Sequence, residues 1–179
     1  MKSRFALFVL VLLLLTATVC AAQSPMYFSP TTFYEAFNTL NTALEGPKCV
    51  YSKGSQEGEA YVVSSDSLGI LMEYSDDRVT ELYLYFNYLS DDEDASNDTV
   101  GMTFATLATF WFASQIQSGA DIRNMDTEEL EDMVSEVMYV YLLLSMSSEP
   151  QDYWGYRFAM STREENGYKE GVLYITKAD

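Results

Sequence analysis

Glu73 and Glu81 are the two carboxylates whose neighbours suit them to acid–base chemistry. Each sits inside an apolar, strand-like run, residues 68–74 and 79–88. A catalytic acid needs such a setting to keep its proton near neutral pH, and two flanking carboxyls are the machinery of glycoside hydrolysis. The competing reading puts both on the polar face of a half-exposed sheet. With 27 acidic side chains in 179 residues some pair will stand close by chance, so residue type alone assigns no catalytic residue.

Aromatic residues form the second set. Tyr83, Tyr85 and Tyr88 occupy one run and Tyr153, Trp154 and Tyr156 another. Tyr and Trp dominate interface hot spots because they pair a large rigid body with a polar tip. Strand alternation puts Tyr83 and Tyr85 on one face and Leu82, Leu84 and Phe86 on the other, with Leu and Phe turned inward. Tyr83, Tyr85, Trp154 and Tyr156 are therefore the expected binding residues, for a protein or glycan partner. Ordinary cross-strand packing is the alternative account.

The acidic run from Asp91 to Asp98 suggests calcium. A helix-loop-helix calcium loop needs glycine at its sixth position and glutamate at its twelfth. Counted from Asp92, those positions hold Asn97 and Thr103, and both fail. The run reads instead as a solvated loop that keeps a neighbouring sheet soluble. Asn97-Asp98-Thr99 in that loop is a glycosylation acceptor if the source is eukaryotic. No metal and no cofactor is expected. The chain has no histidine, which removes Ser-His-Asp, Cys-His and HExxH chemistry. No CxxC pair, phosphate loop or dinucleotide fingerprint is present. A net charge of −17 excludes a nucleic-acid partner, since phosphate binding needs clustered Lys and Arg.

The first 22 residues read as a secretory signal: Lys2 and Arg4, an apolar run over 5–15, then small residues to Ala22. The run is too short to cross a bilayer, which takes about 20 residues. Cleavage leaves 8 basic against 27 acidic side chains, a charge of −19, and no stable membrane span. The expected location is secreted or extracytoplasmic. The alternative is lipidation at Cys20, although Ala17 and Val19 fit a lipoprotein signal poorly. If Cys20 leaves with the signal, Cys49 is the sole thiol that remains, and its apolar neighbours imply burial.

Residues 23–30 read as a loose lead-in and 31–179 as one domain, without repeat or linker. Thr32 and Glu35 have capping-box spacing for a first helix. It carries Phe33, Phe37, Leu40 and Leu44 on one stripe and ends at Gly46-Pro47. Strands are expected at 49–52, 59–64, 68–74 and 79–88, with connections short enough to force antiparallel pairing. Residues 99–118 lack charge altogether and predict a buried helix. Asp126 and Glu129 cap the clearest helix, running to about Met146. A C-terminal hairpin, 153–162 and 168–176, turns at Asn166-Gly167. The order α-β-β-β-α-α-β-β predicts an α+β fold, an antiparallel sheet of five or six strands with helices mainly on one face. This order is loosely similar to that of small acidic bacterial secretion chaperones, a likeness of topology that carries no function. A non-enzymatic exported binding module is the expected function, with a small carboxylate hydrolase as the alternative.

Overall fold

Tight two-residue turns organise this chain. Asp76-Asp77, Trp154-Gly155 and Asn166-Gly167 each place both central residues at positive φ, the mirror-image turn whose twist matches paired strands. The structure, a computed structural model, describes residues 28–118, 126–147 and 149–178. Its elements are α1 (Pro30–Ala43), β1 (Val50–Lys53), β2 (Glu59–Ser65), β3 (Leu68–Ser75), β4 (Arg78–Leu89), α2 (Glu93–Gln117), α3 (Thr127–Met146), β5 (Gln151–Tyr153), β6 (Tyr156–Glu165) and β7 (Tyr168–Lys177). The strands form one antiparallel sheet in the order β1-β2-β3-β4-β7-β6-β5. Two meanders, β1 to β4 and β5 to β7, join along a β4–β7 seam.

The fold is α+β, with seven strands rather than five or six. The strand expected at 49–52 is present as β1, and the extra one comes from the other end of the sheet. β1 pairs with β2 as a short edge strand. The expected strand from 153 is broken by the Trp154-Gly155 turn into β5 and β6.

Among the described residues the helices lie on one face of the sheet. Val62, Ile70, Met72, Leu82, Leu84, Phe86, Leu173, Ile175 and Phe158 share a single core with helix residues such as Phe33, Phe37, Leu107 and Met133. Helix α2 is central, touching α1, α3 and β4. It is buried from Met102 to Ala113, as the absence of charge beyond Asp98 requires. Thr99, Thr103, Thr106 and Thr109 each donate a hydroxyl to the carbonyl four residues back, at 2.7–2.8 Å, so none is left unbonded in the core.

Several boundaries differ from the sequence expectation. Ser29, not Thr32, caps α1, accepting from the Thr32 amide at 3.1 Å, with Pro30 as the first helical residue. Phe28, placed in the lead-in, is buried, and its carbonyl receives the Val79 amide at 2.7 Å. Past the end of α1 the left-handed position falls to Glu45, φ 57°, rather than to Gly46. Gly46 is needed for close approach, since a Cβ there would stand 2.1 Å from Asn41 Oδ1. The acidic run is not a loop. Asp92 caps α2 by accepting from the Ala95 amide at 2.9 Å, and Glu93 and Asp94 fill the first turn, where the helix dipole favours anions. The expected capping box at Asp126 and Glu129 is present. The expected signal segment, residues 1–22 with Cys20, lies outside the described residues.

Candidate binding face

The face of the sheet away from the helices carries the tyrosines. Cross-strand pairing aligns Tyr61, Leu71, Tyr83, Tyr174 and Ala159 in one row. The adjacent row runs Glu59, Glu73, Glu81, Thr176 and Arg157. Three glutamates thus occupy neighbouring strands at the same level, beside a band of phenol rings. On the far side of the tyrosine row lie Val63, Gly69, Tyr85 and Val172.

A bulge makes this arrangement possible. Glu81 pairs with Glu73 but Val79 pairs with Tyr74, leaving Thr80 as an extra residue in β4. Without it Val79 and Glu81 would share a face. With it Val79 is buried in the core while Glu81 turns outward. The Thr80 hydroxyl bonds the Glu73 carbonyl at 3.2 Å and helps to hold the kink.

The carboxylates and phenols are tied together. Tyr61 donates to Glu59 Oε2 at 2.8 Å. Tyr83 and Tyr174 both donate to Glu81 Oε2, the latter at 3.0 Å, with their rings 4.8 Å apart. These bonds change the phenols' acidity. The hydrogen bond to Glu81, reinforced by burial and by that residue's charge, holds Tyr83 well above the usual tyrosine range. Burial, then the bond to Glu81, raises Tyr174, and the bond to Glu59 raises Tyr61. Burial and the charge of Asp66 raise Tyr85. Its ring lies against Gly69, where an added Cβ would come within 2.5 Å of the hydroxyl.

The sequence-derived binding residues divide between two faces. Tyr83 and Tyr85 belong to the outer row. Tyr156 is buried on the helix side, its ring 4.7 Å from Phe110 and its hydroxyl receiving Gln117 Nε2 at 3.2 Å. Tyr88 is likewise buried on that side. Trp154 occupies the β5–β6 turn at φ 56°, a conformation bulky residues seldom adopt. Its indole N–H donates to Glu136 Oε1 at 2.7 Å, while Trp111 donates to Oε2 of the same carboxylate at 2.8 Å. One glutamate on α3 therefore fastens α2 and the sheet edge together. No family model, curated protein or solved structure matches the chain.

Glu59, Tyr61 and Tyr174 join the site through register, which only the paired strands reveal. Glu73 and Glu81 stand directly opposite one another: Glu73 is exposed, and Glu81 carries two phenol bonds. Among the described residues no group of three or more Cys, Asp or Glu is placed to hold a metal ion. None of their helices is long and apolar enough to cross a membrane. Asn97 is exposed on α2 rather than in a loop. Cys49 is buried, its thiol donating to the Pro47 carbonyl at 3.3 Å. Burial, with the charge of Asp98, pushes it up to about 11, so it is a thiol and not a thiolate near neutral pH.

Proposed function

We propose that the chain is an exported, non-enzymatic binding module that receives a basic segment of a partner protein on its outer sheet face. The observation that carries this reading is the Glu59–Glu73–Glu81 row beside the Tyr61–Tyr83–Tyr174 row. Like charges directly opposite on paired strands are destabilising, by about 0.2–1 kcal/mol a pair. A sheet serving only as scaffold has no use for two such pairs in succession. A Lys or Arg side chain laid across the row would relieve the repulsion and face phenol rings that attract cations. The negative balance of the whole chain adds long-range attraction for a basic partner. The same two carboxylates raise the hydrolase alternative. Binding is favoured because the face is open, Glu73 is exposed, and both tyrosine hydroxyls are committed to Glu81.

The Glu73→Gln variant tests this directly. It should unfold at higher urea than the parent, by about 1 kcal/mol, through loss of two like-charge pairs. It should also bind fluorescent oligolysine several-fold more weakly at low ionic strength. Glu149→Gln, an exposed carboxylate outside both the sheet and α3, should change neither. Equal oligolysine binding by parent and Glu73→Gln, or preference for neutral oligosaccharides over oligolysine, would overturn the proposal.

A further inference from the structure

Helix α3 buries Leu130, Met133, Val137, Val140 and Leu144 against the core, the stripe expected of a helix packed on one side. Its opposite side is also apolar along the C-terminal half. Met138, Leu142 and Met146 recur every four residues and are 42%, 49% and 84% exposed, with Tyr139 beside them at 59%. Contiguous large apolar side chains on the solvent side of a helix mark an interaction surface, and methionine adapts to varied partners. Toward the N-terminus the same side of the helix changes character, presenting Glu128, Glu131 and Asp132, all exposed. Helix α3 contains no Lys or Arg.

We propose that this side of α3 docks an amphipathic basic helix of a partner protein, apolar along one stripe with Lys or Arg clustered at one end. Charge decides the occupant. A second copy docked in parallel would set carboxylates against carboxylates. Docked antiparallel, it would place them against the other copy's apolar end, with no cation in either helix to neutralise them. A basic helix matches both halves of the surface: its apolar stripe covers Met138, Leu142 and Met146, and its cations meet Glu131 and Asp132. This surface shares no residue with the tyrosine face of the sheet.

The test uses the whole chain and three synthetic helical peptides: a leucine–lysine peptide with its lysines at one end, a version with serine for leucine, and one with glutamate for lysine. The parent should bind the first at least about tenfold more tightly than the serine version, since two or three buried apolar side chains are worth at least that much, and several-fold more tightly than the glutamate version, whose charges would repel Glu131 and Asp132. The double variant Met138→Ser/Leu142→Ser should lose about tenfold in affinity for the leucine–lysine peptide. Its melting temperature should fall by only a few degrees, because both residues are about half exposed and serine costs a few tenths of a kcal/mol in a helix, and its oligolysine binding should be unchanged. Glu131→Gln/Asp132→Asn should weaken leucine–lysine binding several-fold. Unchanged affinity in the serine variant would overturn the proposal. So would sedimentation of the parent as a dimer that the serine variant dissociates, which would make the occupant a second copy.

Discussion

Both tryptophans of the chain donate to one carboxylate, and removing it should loosen the joint between α2, α3 and the β5–β6 turn. In Glu136→Ala the Trp111 N–H, on a residue only 5% exposed, loses its acceptor with little room for water. An unsatisfied buried donor costs about 1–3 kcal/mol. Trp154 is half-buried, so solvent replaces much of its lost bond and adds about 0.5 kcal/mol. The turn then holds its bulky positive-φ residue with one restraint fewer. The total, about 1.5–3.5 kcal/mol, corresponds to a fall in melting temperature of roughly 3–14 °C for a domain of this size. Urea unfolding followed by tryptophan fluorescence measures it, since the two reporters are the two donors. Glu131→Ala is the control: it makes the same exchange on the same helix without touching either indole bond. If Glu136→Ala and Glu131→Ala unfold at the same urea concentration, the joint contributes nothing and the reasoning fails.

Stability should also decline in alkali. Tyr83, Tyr174, Tyr61 and Tyr85 hold their protons above the usual range when folded, so the unfolded chain releases them first. The stabilisation is whole below about pH 10 and drains away as the pH rises beyond it. Melting curves from pH 8 upward, with tyrosinate absorbance, check this: Tyr83→Phe should flatten the decline, and a single tyrosine titration near pH 10 without loss of stability would refute it. Gly46→Ala should cost about 2 kcal/mol or more, because its Cβ would strike Asn41, whose side-chain amide holds the Pro47 carbonyl at 2.7 Å. An unshifted urea midpoint would show that the loop yields freely.

Local pattern made much of the architecture readable. Alternation in 79–88 separates Leu82, Leu84 and Phe86 from Tyr83 and Tyr85, because a pleated strand leaves no other choice. Asp126 and Glu129 announce α3 through backbone groups that any helix start must satisfy. Composition misleads where the same residues serve two ends. The acids at 91–94 look like a solvated loop, yet aspartate is equally the cap of a helix, and the preference is settled by the buried segment that follows. The Trp154-Gly155 turn is hidden for another reason. Tryptophan is no turn residue, and it holds its backbone conformation with help from Glu136, eighteen positions away. The glutamate row is likewise invisible in one dimension. It exists because register brings β2, β3 and β4 level and because one bulge at Thr80 reverses the facing of the residues before Glu81.

The β4–β7 seam makes each meander depend on the other. Among the described strands β7 comes last in sequence, yet it occupies an interior place in the sheet, flanked by β4 and β6. Without it the first meander ends in an open edge along β4, where alternate amides and carbonyls between Glu81 and Leu89 lack the partners that β7 supplies. Deleting Tyr168–Lys177 would therefore unzip the molecule through its middle rather than trim its rim.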